Sequence, residues 1–288
     1  MSKKLSNIFL ILTLIVGLSL LLYPSFSDYW NSLHQSRAIA NYAEQVANMN
    51  AEKYAEIWEA TEQYNQDLLK RENVFFLTDE LKERYVDLHN ISGNGVIGYI
   101  EIPEIKVSYP IYHGTEESVL QIAVGHLEWT SLPGGGEGTH CVLSGHRGLP
   151  SAKLFTDLDK LENGDIFMLK VLDQVFTYEM DQAVIVEPQD TDELLVVPGE
   201  DYCSLVTCTP YGINSHRLLV RGHRIENQKN AKTVRIVSEA IQIEPLVVAP
   251  FIAIPLLIVA MILTLFSDEQ DRSHDMNKAN KHSQNERR

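Results

Sequence analysis

Between residues 96 and 222 the chain is a succession of short β-rich runs broken by turn residues, and this rhythm constrains its fold more than any other feature. The runs cover 96–105, 107–112, 139–144, 166–171, 175–180, 183–187, 202–208 and 217–222. Asn163-Gly164, Asp173-Gln174, Pro188 and Pro210-Tyr211-Gly212 separate many of them. Short strands at such spacing predict a mainly β domain, either a closed or nearly closed antiparallel barrel or a sandwich. One helix is expected to interrupt them at 117–126, with a further turn near 152–161.

The character before Ser92-Gly93-Asn94-Gly95 is different. Residues 36–70 contain neither Gly nor Pro, and Ala40, Tyr42, Ala43, Val46, Ala47, Tyr54, Ile57 and Trp58 recur at three- and four-residue steps. That spacing predicts a helix with a packing face. A second short helix is expected after Thr78, an N-cap followed by Asp79 and Glu80. Between the two helices, Val74-Phe75-Phe76 forms an apolar knot in a polar loop.

Two hydrophobic segments bracket the rest. Residues 246–266 form an uncharged run of about the ~20 residues that cross a bilayer as a helix, and membrane spans tolerate its Pro250 and Pro255. Residues 8–23 are shorter and follow Lys3 and Lys4; they read as an anchor, with a cleaved signal peptide as the alternative. Tyr23, Phe26, Tyr29 and Trp30 would supply an interfacial belt for an anchor. The lysines place residues 1–7 in the cytoplasm, and two spans return the polar tail 267–288 to the same side. The expected layout is therefore an extracellular helical extension at 24–92, a barrel at 93–226, a linker at 227–245 and a second span. A lipid bilayer is thus an expected partner. The net charge of −15, from 39 acidic and 24 basic side chains, disfavours nucleic acid.

The chemistry concentrates at strand ends. Ser204-Leu205-Val206-Thr207-Cys208 ends an apolar strand in a thiol, and Arg217 opens the next strand with a permanent cation. Ser144-Gly145-His146-Arg147-Gly148 brings an imidazole from a glycine-flanked strand end. A nucleophile, a proton carrier and a charge stabiliser are the minimum set for acyl transfer through a thioester. The other cysteines, Cys141 and Cys203, read as buried structural residues, and the five-residue offset between Cys203 and Cys208 sends the two thiols to opposite faces of an unbroken strand. Arg221 shares the face of Arg217, and Arg224 points oppositely. His113, His126, His140, His216 and His223 read as structural or solvated. The histidines and cysteines do not fall into ligand spacings, so neither metal nor cofactor is expected.

These segments together resemble the sortases of Gram-positive bacteria. Leu205-Val206-Thr207-Cys208 with Arg217, Ser144-Gly145-His146 upstream, and 94–103 as the first barrel strands carry the resemblance. Residues 138–150 and the helical extension are similar to the class C, pilus-building branch. The resemblance implies an eight-stranded sortase-type barrel in which Cys208, His146 and Arg217 are catalytic. It implies cleavage of an LPXTG-like sorting signal between Thr and Gly, a thioester on Cys208, and transfer to a lysine amine of a pilin subunit. Class C members typically hold an Asp-Pro-aromatic lid over the cysteine. No Asp-Pro pair occurs here, and Phe75 and Phe76 occupy the region of the lid, either entering the cleft or sealing the helical extension onto the barrel. The alternatives are anchoring to a cell-wall precursor amine, or release of surface proteins by hydrolysis as a cysteine peptidase.

Overall fold

The computed structural model describes residues 3–149 and 152–227. Three helices precede the sheet: α1 (Lys3–Ala47), α2 (Ala51–Leu69) and α3 (Asp79–Asp87). The single helix expected over 36–70 is interrupted because Asn50 adopts extended backbone and its side chain accepts from the Lys53 N–H, a cap that starts α2 afresh. The hydroxyl of Thr78 caps α3 in the same way, accepting from the Leu81 N–H. The stretch of α1 up to Ser25 belongs to one compact unit and Phe26 onward to another. From Leu10 that helix is long and apolar enough to cross a membrane, with a mean hydropathy of 2.0 over its best window. The second expected span, 246–266, lies outside the described residues.

The barrel strands are β1 (Val96–Ile102), β2 (Val107–His113), β3 (Val124–His126), β4 (Thr139–Ser144), β5 (Ile166–Val171), β6 (Gln174–Val186), β7 (Asp201–Thr209) and β8 (His216–Ile225). They close in the order β1-β2-β3-β4-β7-β8-β6-β5. The barrel is mixed rather than antiparallel, because β2 pairs with β3, and β4 with β7, in parallel. Each parallel pair needs a crossover; the first carries the short helix α4 (Glu117–Leu120) and the second carries β5 and β6. The helix expected over 117–126 therefore stops at Leu120, and Val124–His126 joins the sheet instead. The runs at 175–180 and 183–187 are one strand, β6, whose register shifts between Met180 and Gln182.

Strand β1 is buried along nearly its whole length, on both faces. One face meets the barrel interior and the other meets α1. There the Tyr42 hydroxyl donates to the Ile97 carbonyl at 3.0 Å and accepts from the Leu172 N–H at 2.9 Å. Such a bond satisfies strand groups that the helix would otherwise leave buried and unpaired.

A seam of aromatic and imidazole rings joins α2 and α3 to the barrel. Trp58 lies edge-on to His89, Tyr85 lies edge-on to His113, and the Tyr85 hydroxyl reaches His126 Nδ1 at 3.0 Å. The Thr61 hydroxyl donates to the Ile57 carbonyl, so at His89 it is the ring Nε2–H that donates to Thr61, at 2.8 Å. Burial pushes His89 down to about 3 and His113 to about 4, each reinforced by neighbouring imidazoles. Both rings are thus neutral when folded, whereas in the unfolded chain they take up protons near pH 6.5. Their contribution is complete above about pH 6.5 and is lost as pH falls toward those depressed values. Stability of the full chain in detergent is expected to drop by roughly 1 kcal/mol per pH unit for each ring below about pH 6. A urea midpoint that stays constant between pH 7 and pH 5 would contradict this.

Candidate active site

Strands β7 and β8 pair antiparallel, and their register sets Cys208 directly opposite Arg217. Opposed residues on one face of a ladder have their Cβ atoms about 5 Å apart, so thiol and guanidinium rise from the same patch. Alternation along β7 does the rest. Cys203 and Leu205 point into the barrel core, while Val206 and Cys208 are only partly buried. Cys141 lies across from Cys203 on β4, and both are buried free thiols, with burial pushing the Cys203 thiol up. The face separation expected for Cys203 and Cys208 is therefore present, with Cys208 as the accessible thiol of the three described.

His146 follows β4, which runs parallel to β7 with Ser144 level with Val206. The ladder continues past the strand end: the Gly145 N–H donates to the Val206 carbonyl at 3.0 Å, and the Thr207 hydroxyl donates to the Gly145 carbonyl at 2.8 Å. His146 is the residue after Gly145, two beyond the last paired residue of β4, as Cys208 is two beyond Val206 on β7. Gly145 is required for a reason the sequence does not reveal. A Cβ there would sit 2.7 Å from the Phe155 ring, so the glycine lets the strand end close down on the core rather than simply exposing the histidine. Gly148, at φ +77°, abuts Tyr211 of the β7–β8 loop, which ties the two loops of this rim together.

The structure also separates the three arginines of β8. Arg221 makes two bonds to the carboxylate of Asp181, at 3.0 and 3.1 Å, and lies 4.3 Å over the Tyr202 ring. Arg224 lies over Phe176 and Tyr178. Arg217 donates only to backbone carbonyls of its own loop, Asn214 and His216, and has no carboxylate partner among the described residues. Its remaining N–H groups are available to a developing negative charge. The structural histidines also find partners: His113 bonds to the Leu88 and Gly95 carbonyls, His126 to the Ser131 carbonyl and His140 to the Leu195 carbonyl.

A cavity of about 280 Å³ opens beside Arg217, lined among others by Ser144, Val186, Leu194, Val206 and Leu219. Its apolar wall is the small outer cluster of Val142, Leu194 and Leu219, extended by Val206 and Trp129. A larger cavity, about 480 Å³, lies between α2 and the glycine-rich 134–138 segment. It sits at the start of β4, away from the thiol, and brings none of the three groups together. Phe75 and Phe76 remain 53% and 63% exposed. The Phe75 ring stands edge-on to Trp129, with centroids 4.9 Å apart, and Trp129 lines the smaller cavity. Arg71 fixes this segment by donating to the Trp129 carbonyl at 2.9 Å.

One residue near the site is not legible in the sequence. Glu117, the first residue of α4, brings Oε2 to 3.6 Å from His146 Nε2. Its carboxyl is held below the usual range, first by the Gln121 amide that donates to it and then by the His146 charge.

Comparison with known proteins gives the family and the fold relatives of this chain. Residues 100–225 match the sortase domain family. The chain is 47% identical to sortase C1 from Streptococcus agalactiae, with a TM-score of 0.65 over 67% of this chain and 100% of that one. It is 43% identical to a Clostridium perfringens sortase C solved with the C-terminal cell wall sorting motif, with a TM-score of 0.59 over 67% and 100% of the two chains. Among curated relatives, Sortase D of Bacillus subtilis (strain 168) is 33% identical over 131 residues, which is 44% of this chain and 63% of that protein. The match thus spans less than two thirds of that relative's length.

Proposed function

The chain belongs to the sortase family, and from that premise we propose that it is a class C-like cysteine transpeptidase that builds pili. The observation that carries the reading is the Cys208–Arg217 cross-strand pair, with His146 two residues past the end of β4, the parallel neighbour of β7. The Sγ of Cys208, as thiolate, attacks the Thr carbonyl of an LPXTG-like sorting signal. Arg217 N–H groups receive the oxyanion as it forms. The Thr–Gly bond breaks, the glycine amine leaves with a proton from His146, and a thioester remains. A lysine amine of a pilin subunit then attacks the thioester. It gives a proton to His146, expels the Cys208 thiolate and leaves an isopeptide bond.

The apolar cavity beside Arg217 suits the leucine and proline side chains of an extended signal. An acidic molecule, at net −15, suits approach of an ammonium-bearing acceptor. The N-terminal apolar helix suits a membrane anchor that presents the barrel on the extracellular face.

Two measurements test the reading on the full chain in detergent. Mass spectrometry after incubation with an LPXTG-type peptide is expected to find the acyl group on Cys208. Incubation with a pilin is expected to give a ladder of covalent polymers, lost when the acceptor lysine is replaced. A ladder unchanged by that replacement would favour transfer to a cell-wall precursor amine. Hydrolysis that dominates in the presence of abundant amine would indicate a peptidase.

A further inference from the structure

We infer that Glu117 is a positioning residue for His146, its carboxylate accepting a hydrogen bond from Nε2–H and leaving Nδ1 as the nitrogen that exchanges protons with the leaving and incoming amines. The inference rests on the proposed role of His146 in acyl transfer.

Two observations carry it. His146 Nε2 is shut off from solvent and has no hydrogen-bond partner among the described residues, an arrangement rare for a buried ring nitrogen. The carboxylate oxygen facing it, Glu117 Oε2, stands at 3.6 Å, a few tenths of an ångström beyond hydrogen-bond reach. Glu117 is aimed there. Its other oxygen accepts from the Gln121 side chain one helical turn on, which turns Oε2 toward the histidine. The adjacent Glu116 is directed elsewhere, with its carboxylate tucked against Gly114, so the two glutamates are not an undifferentiated acidic patch.

Glu117 is 71% exposed, so its carboxylate is free to move the few tenths of an ångström that separate it from the ring. Catalytic hydrogen bonds are commonly long in the free enzyme and shorten when substrate displaces water. The constellation then has the logic of a nucleophile, a base, and a third group that orients the base. A base with one nitrogen committed to a carboxylate keeps the other in a fixed tautomer and direction. Because this carboxylate is solvent-exposed, its effect is expected to be well below that of a buried triad carboxylate.

The test uses the full chain in detergent with an LPXTG-type peptide. Glu117→Gln and Glu117→Ala are expected to lower kcat about fivefold to tenfold with the peptide KM unchanged, and Glu117→Asp to recover part of the loss. In ¹⁵N spectra of the neutral His146 ring, recorded with Cys208→Ala so that no substrate turns over, the proton is expected on Nε2. Glu117→Ala on that background is expected to give a mixture of tautomers. Unaltered kcat, or a fall in kcat with no change in the ring spectrum, would overturn the inference. His146→Ala separates the two levels of the argument. If it is inactive while Glu117→Ala is normal, only the role of Glu117 fails; if it is fully active, the acyl-transfer reading fails with it.

Discussion

Cys208→Ala is expected to leave no detectable acyl-enzyme and to lower turnover of a sorting-signal peptide by at least about a thousandfold. The argument is one of access as much as chemistry. Three thiols are present, and two of them, Cys141 and Cys203, face each other inside the barrel with almost no exposed surface. An extended peptide cannot reach either without opening the barrel. Cys208 is on the outer face of the same strand, at the rim, with a cation directly across the ladder. Cys141→Ala and Cys203→Ala therefore serve as matched controls, each expected to retain the acyl adduct while losing some stability through the cavity left behind. An adduct mapped to either buried thiol would overturn the assignment.

Arg217→Ala is expected to cost about a hundredfold to a thousandfold in kcat, with little change in the KM of the peptide. This signature belongs to a donor that meets charge present in the transition state and absent from the bound substrate. Arg217→Lys keeps the charge and is still expected to lose activity, because a single ammonium cannot reproduce the planar set of guanidinium donors. Arg221→Ala provides the contrast. That side chain is committed to Asp181 and stacked on Tyr202, so its loss is expected to appear as reduced stability with kcat largely kept. Rates for the variants, measured beside their urea midpoints, distinguish the two roles. Equal kcat losses for Arg217→Ala and Arg221→Ala would remove the case for Arg217.

Much of this arrangement can be read from residue order, because strands have a period of two. The outward direction of Cys208, the inward direction of Cys203, the shared face of Arg217 and Arg221 and the opposed face of Arg224 all follow from counting. The direction of pairing does not. Strands β4 and β7 are buried on both faces along their middles, and such runs carry no mark of whether a neighbour is parallel or antiparallel. Yet the parallel pairing is what puts the end of β4, from which His146 follows, beside the Cys208 end of β7. Strand β3 escapes for a different reason: its three residues continue a stretch that begins as helix, too short for any periodicity to register. Glu117 is invisible for a third. Its partner is 29 positions away in the chain, and a pair of adjacent glutamates in a polar loop has the composition of ordinary solvated surface. Phe75 shows the limit of reasoning from hydrophobicity, since its ring stays largely exposed and settles on Trp129.

The thiol and guanidinium ride on β7 and β8, adjacent staves bound edge to edge by backbone bonds, and the imidazole follows two residues after the end of β4, the parallel neighbour of β7. Catalytic groups borne on long loops can drift apart while the rest of a protein stays intact. Cys208 and Arg217 share one ladder, so their spacing is expected to persist on warming until β7 and β8 part. Durability of that pair and durability of the barrel then become the same quantity.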